Sequence, residues 1–234
     1  MIHHDGSSIA ARAYQHIRSK VLCGDYPAGQ RLVTRQLAVE IGASLNPVRE
    51  ALGRLAAEGI IDHVPGAGAS VRQPQLEEIL ELYEFRQALE PFAAQKAAQF
   101  ITAPELGVLK EVCARQHDLA ETLRQSSGHL QNDELMQWFH HEERFHNTLI
   151  SAARNSHFDR TIRNSRVLTQ LFHCHQTIGL KVNLSVAART WGIHLRIVGA
   201  LESRNADLAG SLMRTALEQG AQQTLLSSSN ALRP

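Results

Sequence analysis

Three cysteines in 234 residues, Cys23, Cys113 and Cys174, form no CxxC pair and are odd in number. That excludes a disulfide framework and makes a reducing cytoplasm the natural setting. Nowhere do about 18 apolar residues run together, so no membrane span is expected. The opening MIHHDGSSIA lacks the basic stretch and apolar core of an export signal. Charge of one sign is missing too, with 24 Lys and Arg against 23 Asp and Glu. A net charge of +1 argues against a strongly basic, sequence-indifferent nucleic-acid binder. Aromatic residues make up only 5%, and the abundant Ala, Leu, Gln, Glu and Arg favour helix through most of the chain. The length suits two modest domains, each with its own core.

The most informative stretch is Ser44 to Gly59, SLNPVREALGRLAAEG. Ser44 can cap a helix, and Pro47 falls in the first turn, where a backbone N–H has no intrahelical partner to lose. Val48, Leu52 and Leu55 recur at the spacing of a buried stripe, leaving Asn46, Arg49, Glu50 and Gly53 on other sides. Upstream, Thr34 to Ile41 reads as a shorter helix, and Gly42-Ala43-Ser44 leaves only a tight turn between the two. This is a helix-turn-helix pattern. Before it, Ile9, Ala13, Ile17 and Val21 step in fours along a first helix that Gly24 closes, and Arg31-Leu32-Val33 reads as a short extended link. After it, two short apolar runs joined by Val64-Pro65-Gly66-Ala67-Gly68 read as a β-hairpin. A hairpin placed there is the wing of a winged helix. Through Gln73, eight Lys and Arg stand against six Asp and Glu, a faint basic bias that suits local DNA contact.

The string GDYPAGQRL, then RQLAVEIGAS, NPVREALGRLAAEGII and PGAGASV, resembles the N-terminal domain of GntR-type bacterial transcription regulators over about 65 residues. The resemblance implies that the second helix of the motif enters the major groove while the wing reaches the minor groove. Carried over by position, it implies DNA contact from Arg35, Ser44, Asn46 and Arg49, with Gly66 and Gly68 letting the wing backbone approach the duplex. Where the family usually has Ser-Arg-Thr before Pro-Val-Arg, this chain has Ser44-Leu45-Asn46. Leu45 cannot donate to a guanine edge or a phosphate, so either the operator differs from the common family sequence or affinity is lower. Arg49 is the expected guanine reader, although it could also pair with Glu50 or Glu58 on a solvated surface. For Arg54, a pair with Glu50 and a phosphate contact stand level, and His63 reads as a plain wing position.

Gln73-Pro74-Gln75 separates a first domain, 1–73, from a second, 74–234. Six helices with short breaks are expected in the second, near 75–101, 104–127, 132–153, 157–180, 184–203 and 205–228, followed by a disordered tail from Ser227. The fold class is therefore mainly α: a winged helix-turn-helix followed by an antiparallel helical bundle. Leu82 to Ala94, Phe145-His146 with Ala153-Arg154-Asn155, and His194 with Ile197 and Ala200 resemble the effector domain of the FadR subgroup. That effector domain is known as an FCD domain, and six helices are similar to its VanR-type form.

Glu142 and His146 lie four apart, so both side chains leave one helix face about a turn apart, and a third ligand must come from another helix. His194 suits that role. In the subgroup, an Asp and a His at this spacing bind a divalent metal with a His at the His194 position and another 22 residues later. Here Glu142 replaces the Asp, and Ala216 replaces the last His. Three ligands plus water or an effector carboxylate can still hold Zn, Ni or Mn. Alternatively, Glu142, His146 and His194 line a pocket and hydrogen-bond an effector directly. Arg86 matches a position that commonly offers its guanidinium to an effector carboxylate, but it also forms an i,i+4 pair with Glu90. His173 and His175 read as surface or pocket-edge residues, and His140 and His141 as solvated.

The expectation is a homodimeric, cytoplasmic repressor that binds a pseudo-palindromic double-stranded DNA operator and is released by a small carboxylate effector. Two alternatives remain at this point: a metal-dependent enzyme built on the Glu142/His146/His194 cluster, and a metal-free regulator of a larger ligand such as an acyl thioester. Against an enzyme stand the absence of an HExxH motif and of an obvious general base.

Overall fold

The computed structural model describes residues 8–64, 68–126, 128–130, 132–175 and 182–231. Among these there are nine helices and one three-stranded sheet. The chain divides into two compact units. The first is the described part of Met1–Gln75 together with Val167–His175, and the second is Leu76–Arg166 with the described part of Gln176–Pro234.

In the first unit, α1 (Ile9–Leu22) is capped by Ser8, whose Oγ accepts from the Ala11 N–H at 3.1 Å. It buries Ala13, Ile17 and Val21, whereas Ile9 stays 55% exposed. Helix α2 (Thr34–Ile41) ends at Gly42, whose φ of 68° is a left-handed conformation that favours glycine. That turn lets α3 (Leu45–Ala57) start after only two intervening residues, Ala43 and Ser44. Val48, Ala51, Leu52 and Leu55 form the buried face of α3, each contributing about 1–3 kcal/mol of hydrophobic burial. Ser44 occupies the N-cap position, but its side chain makes no capping hydrogen bond, which leaves the hydroxyl exposed.

Strands β2 (Ile61–Val64) and β3 (Gly68–Val71) pair antiparallel, as the hairpin pattern implied. The expected link at Arg31-Leu32-Val33 is more than a link. Its first two residues form β1 (Arg31–Leu32), which pairs with β3 in the register Arg31↔Ser70 and Leu32↔Ala69. The resulting order is β1-β3-β2. Period-2 alternation then buries Leu32 and turns Arg31 outward.

The second unit contains α4 (Leu76–Phe100), α5 (Ala103–Ser126), α6 (Asn132–Ala152), the first part of α7 (Ser156–His175), α8 (Leu184–Glu202) and α9 (Ala206–Ala231). Helix α4 packs chiefly on α9, and α5 on α8 and α6. The core between them includes Ile79, Leu109, Phe145, Leu149, Ile197 and Met213. The tail differs from expectation, because α9 continues through Ser227-Ser228-Ser229-Asn230 to Ala231. Once a long helix is under way, each further residue gains a hydrogen bond at little cost, so weak formers are carried along. Residues 176–180, expected at the end of α7, lie outside the described residues.

Candidate functional site

Two groups of polar side chains stand out, one in each unit. In the first unit, Arg35 on α2 and Ser44, Asn46 and Arg49 at the start of α3 are all exposed. An Arg49 Nη donates to Asn46 Oδ1 at 3.2 Å, which holds two of the expected DNA contacts on one ridge of the helix. No pair of Arg49 with Glu50 or Glu58 forms among the described residues. Glu58 instead accepts from Tyr14 Oη at 2.7 Å. Arg54 makes no pair with Glu50 among the described residues; its guanidinium lies over the Tyr14 ring at 4.2 Å from the centroid and stays exposed. A flat guanidinium on an aromatic face is a stable contact that helical spacing alone does not reveal.

Gly68 begins β3 with φ of 94°. Gly66 and the side chain of His63 lie outside the described residues. Arg31, Arg35 and Arg49 open onto one cleft of about 920 Å³ with Leu52, Gly53 and Gly68 among its walls.

In the second unit, Glu142 and His146 share a face of α6 as their spacing implied, and His194 on α8 comes together with them. One ligand atom from each lies within 4.8 Å of the other two. His146 and His194 are buried, and their rings meet edge to face at 5.2 Å. Phe145 stacks on His194 at 3.8 Å, which fixes that ring between apolar and polar neighbours.

Three further residues complete the cluster, and sequence reasoning missed each of them in this role. Gln116 on α5 is fully buried; its Nε2 donates to Glu142 Oε1 at 2.6 Å, and its Oε1 lies 3.0 Å from His194 Nδ1. When Glu142 is ionised it only accepts, so the amide nitrogen faces it and the amide oxygen is left to accept from His194 Nδ1–H. That arrangement leaves His194 Nε2 with its lone pair free. Glu90 on α4 is also fully buried; it accepts from Arg86 Nε at 2.6 Å and from Arg166 Nη1 at 3.3 Å. Its second oxygen lies 3.7 Å from His146 Nδ1. The Arg86–Glu90 pair was legible as an i,i+4 spacing. The roles of Gln116 and Arg166 were not, because nothing local marks either as buried.

Burial sets the electrostatics. It lowers the His194 imidazolium to about 3, with Arg166 adding repulsion, and lowers His146 well below the ordinary histidine value. Both rings are therefore neutral near pH 7 and keep a lone pair for a ligand. The Glu142 carboxyl is raised to about 7 by burial, against the opposing pull of Arg166. His141, expected to be solvated, is half-buried, and its Nδ1 is enclosed without a hydrogen-bond partner among the described residues. His140 is exposed. The side chains of His173 and His175 lie outside the described residues.

The donor set fits a transition metal. His146 Nδ1 is enclosed and has no hydrogen-bond partner among the described residues, an arrangement that costs about 1–3 kcal/mol unless something answers it. Two neutral imidazoles and one carboxylate match the borderline character of Zn and its neighbours. Ligand bonds of about 2.0–2.2 Å hold donors up to about 4 Å apart, so a spread of 4.8 Å closes with a small side-chain adjustment.

A winged helix-turn-helix followed by a helical bundle defines a class of DNA-binding proteins. Residues 9–71 match the model for bacterial regulatory proteins of the gntR family, and residues 81–219 match the FCD domain. The chain belongs to the GntR family and carries an FCD domain; it is a transcription regulator, not an enzyme. It is 34% identical over 152 residues to an uncharacterized HTH-type transcriptional regulator in the TAR-I ttuE-ttuC' intergenic region of Agrobacterium vitis, covering 64% of this chain and 85% of that one. A probable D-xylose utilization operon transcriptional repressor from Paenarthrobacter nicotinovorans is 24% identical, covering 87% of this chain and 83% of the relative. The solved structure of E. coli McbR/YncC shares the fold with a TM-score of 0.78 at 18% identity, covering 95% of this chain and 99% of that one. Among the described residues, no helix is long and apolar enough to cross a membrane.

Proposed function

We propose that this regulator is a homodimeric repressor of the FadR subgroup with a VanR-type effector domain, and that its bundle holds a divalent transition metal. Glu142, His146 and His194 are the ligands, and the metal supplies a Lewis-acidic anchor for a small carboxylate effector. The observation that carries this reading is that one donor atom each from Glu142, His146 and His194 lies within 4.8 Å of the other two. Gln116 orients two of the three ligands, and such outer partners set metal affinity.

On the DNA side, Arg35, Ser44, Asn46 and Arg49 contact the operator. Arg49 reads guanine through its two-pronged guanidinium, and the wing around Gly66 and Gly68 approaches the minor groove. Two-fold pairing of the chains matches a pseudo-palindromic operator. The effector favours the arrangement in which the paired winged helices leave operator register, and only its differential affinity for the two arrangements moves DNA binding. Repression accords with the name of the Paenarthrobacter relative. Loss of the gene is then expected to raise expression of its target in a reporter strain, and a fall would overturn the repressor assignment.

The metal reading is tested on protein purified without chelator or metal-affinity resin. Near one metal per chain in the wild type and little in His146→Ala supports it. Absence of metal from both proteins, even after incubation with Zn, Ni or Mn, refutes it and points to a metal-independent ligand of the same cluster.

A further inference from the structure

The cleft of the first unit holds a cation that the recognition motif does not include. Arg31 sits on β1, outside both helices of the motif, and its outward position follows from the burial of its neighbour Leu32. A Cβ built at Gly68 would lie 3.6 Å from both Nε and Nη2 of Arg31. The guanidinium therefore runs beside Gly68, the first residue of the central strand β3.

Among the described residues no acidic side chain lines this cleft, although it takes Arg31, Arg35 and Arg49. Neither the Arg31 nor the Arg35 side chain makes a hydrogen bond or ion pair among the described residues, and the Arg49 side chain is held only by Asn46. Three exposed guanidiniums sharing one opening repel one another. Elsewhere in this chain, arginines are commonly matched to a carboxylate, as in Arg163 with Asp159 and Arg144 with Glu111. A run of unmatched arginines along a concave wall with no other charged lining residue complements a polyanion whose charges repeat along a line.

We propose that Arg31 is a backbone-positioning residue for DNA. It binds a phosphate from the β1 side of the cleft while Arg49, across the same opening, reaches the base edges. Its contact fixes how the wing meets the duplex and carries no sequence information, because phosphates are alike at every step. Such a contact gives this chain a cation outside the position where Leu45 stands in place of the family's arginine.

The test uses the full-length chain and two labelled duplexes. One is selected from a random-sequence pool by the wild type, and the other is its scrambled counterpart. Binding is followed by anisotropy across a salt series. In Arg31→Ala, affinity is expected to fall on the order of 10-fold for both duplexes alike, with the ratio between them kept. The slope of log affinity against log salt should shrink by about one for each wing engaged, and Arg31→Lys should restore most of both. Arg49→Ala serves as the contrast, since its loss should fall mainly on the selected duplex. Because Arg31 is exposed, unchanged thermal melting of the variants confirms that folding is intact. Wild-type affinity and salt slope in Arg31→Ala would overturn the proposal. So would a loss confined to the selected duplex, which would make Arg31 a base reader.

Discussion

The two units handle arginine in opposite ways. In the winged helix, Arg31, Arg35 and Arg49 stand in water without a carboxylate among the described residues. In the bundle, Arg86 and Arg166 converge on the fully buried Glu90. An exposed charge keeps its hydration and can wait unpaired for a phosphate at little cost. A buried one loses several kcal/mol of hydration and must find its counter-ion inside the fold. The first arrangement leaves a surface open to any polyanion, and the second builds a rigid interior that discriminates by geometry.

The buried side of this contrast breaks most easily. Glu90→Ala strips the buried Arg86 and the partly buried Arg166 of their common partner and is expected to cost about 3–5 kcal/mol in urea unfolding. A midpoint within error of the wild type would mean that water, not Glu90, satisfies those arginines. Next in size, Gln116→Leu removes the bond to Glu142 and the partner of His194, so chelator competition should show metal affinity lower by about 10- to 100-fold. Affinity equal to that of the wild type would leave Gln116 as packing alone.

On the exposed side, Arg49→Ala should cost about 1–3 kcal/mol of specific operator binding, read by anisotropy, without altering the unfolding midpoint. Unchanged affinity would remove Arg49 from the recognition surface.

The smallest effect concerns pH. In the metal-free fold, Glu142 holds its proton up to about pH 7 instead of the ordinary 4.5. Folding therefore favours the protonated carboxyl; this stability is complete below about pH 4.5 and is lost as pH rises through 7. With 23% of the Glu142 side chain exposed, Glu142→Gln should stabilise the metal-free protein by about 1 kcal/mol at pH 8 relative to its effect at pH 4.5. Equal unfolding shifts at the two pH values would show that the carboxylate is well solvated. Added metal should reverse the order at pH 8, because an amide is the poorer ligand.

Much of this was readable along the chain, for a definite reason. The stripe Val48, Leu52 and Leu55, the break at Gly42 and the Pro/Gly turn before β3 are local signals, and local signals decide where helices and hairpins begin and end. Glu142 and His146 share a face because four residues make about one helical turn. His194 could be placed beside them only through resemblance, since nothing in the sequence fixes how α8 packs on α5.

What the sequence determined by itself is the element order, the winged-helix pattern, the helical second unit and the residue types able to bind DNA or a metal. These follow from periodicity, turn chemistry and composition, which act within about ten residues. Tertiary structure alone decided that Arg54 rests on Tyr14, that β1 pairs with β3 and so carries Arg31 to the cleft, and that Gln116 ties Glu142 to His194. Each of these joins residues 26 or more positions apart in the chain. Burial and hydrogen-bond satisfaction select such contacts only once the core has closed.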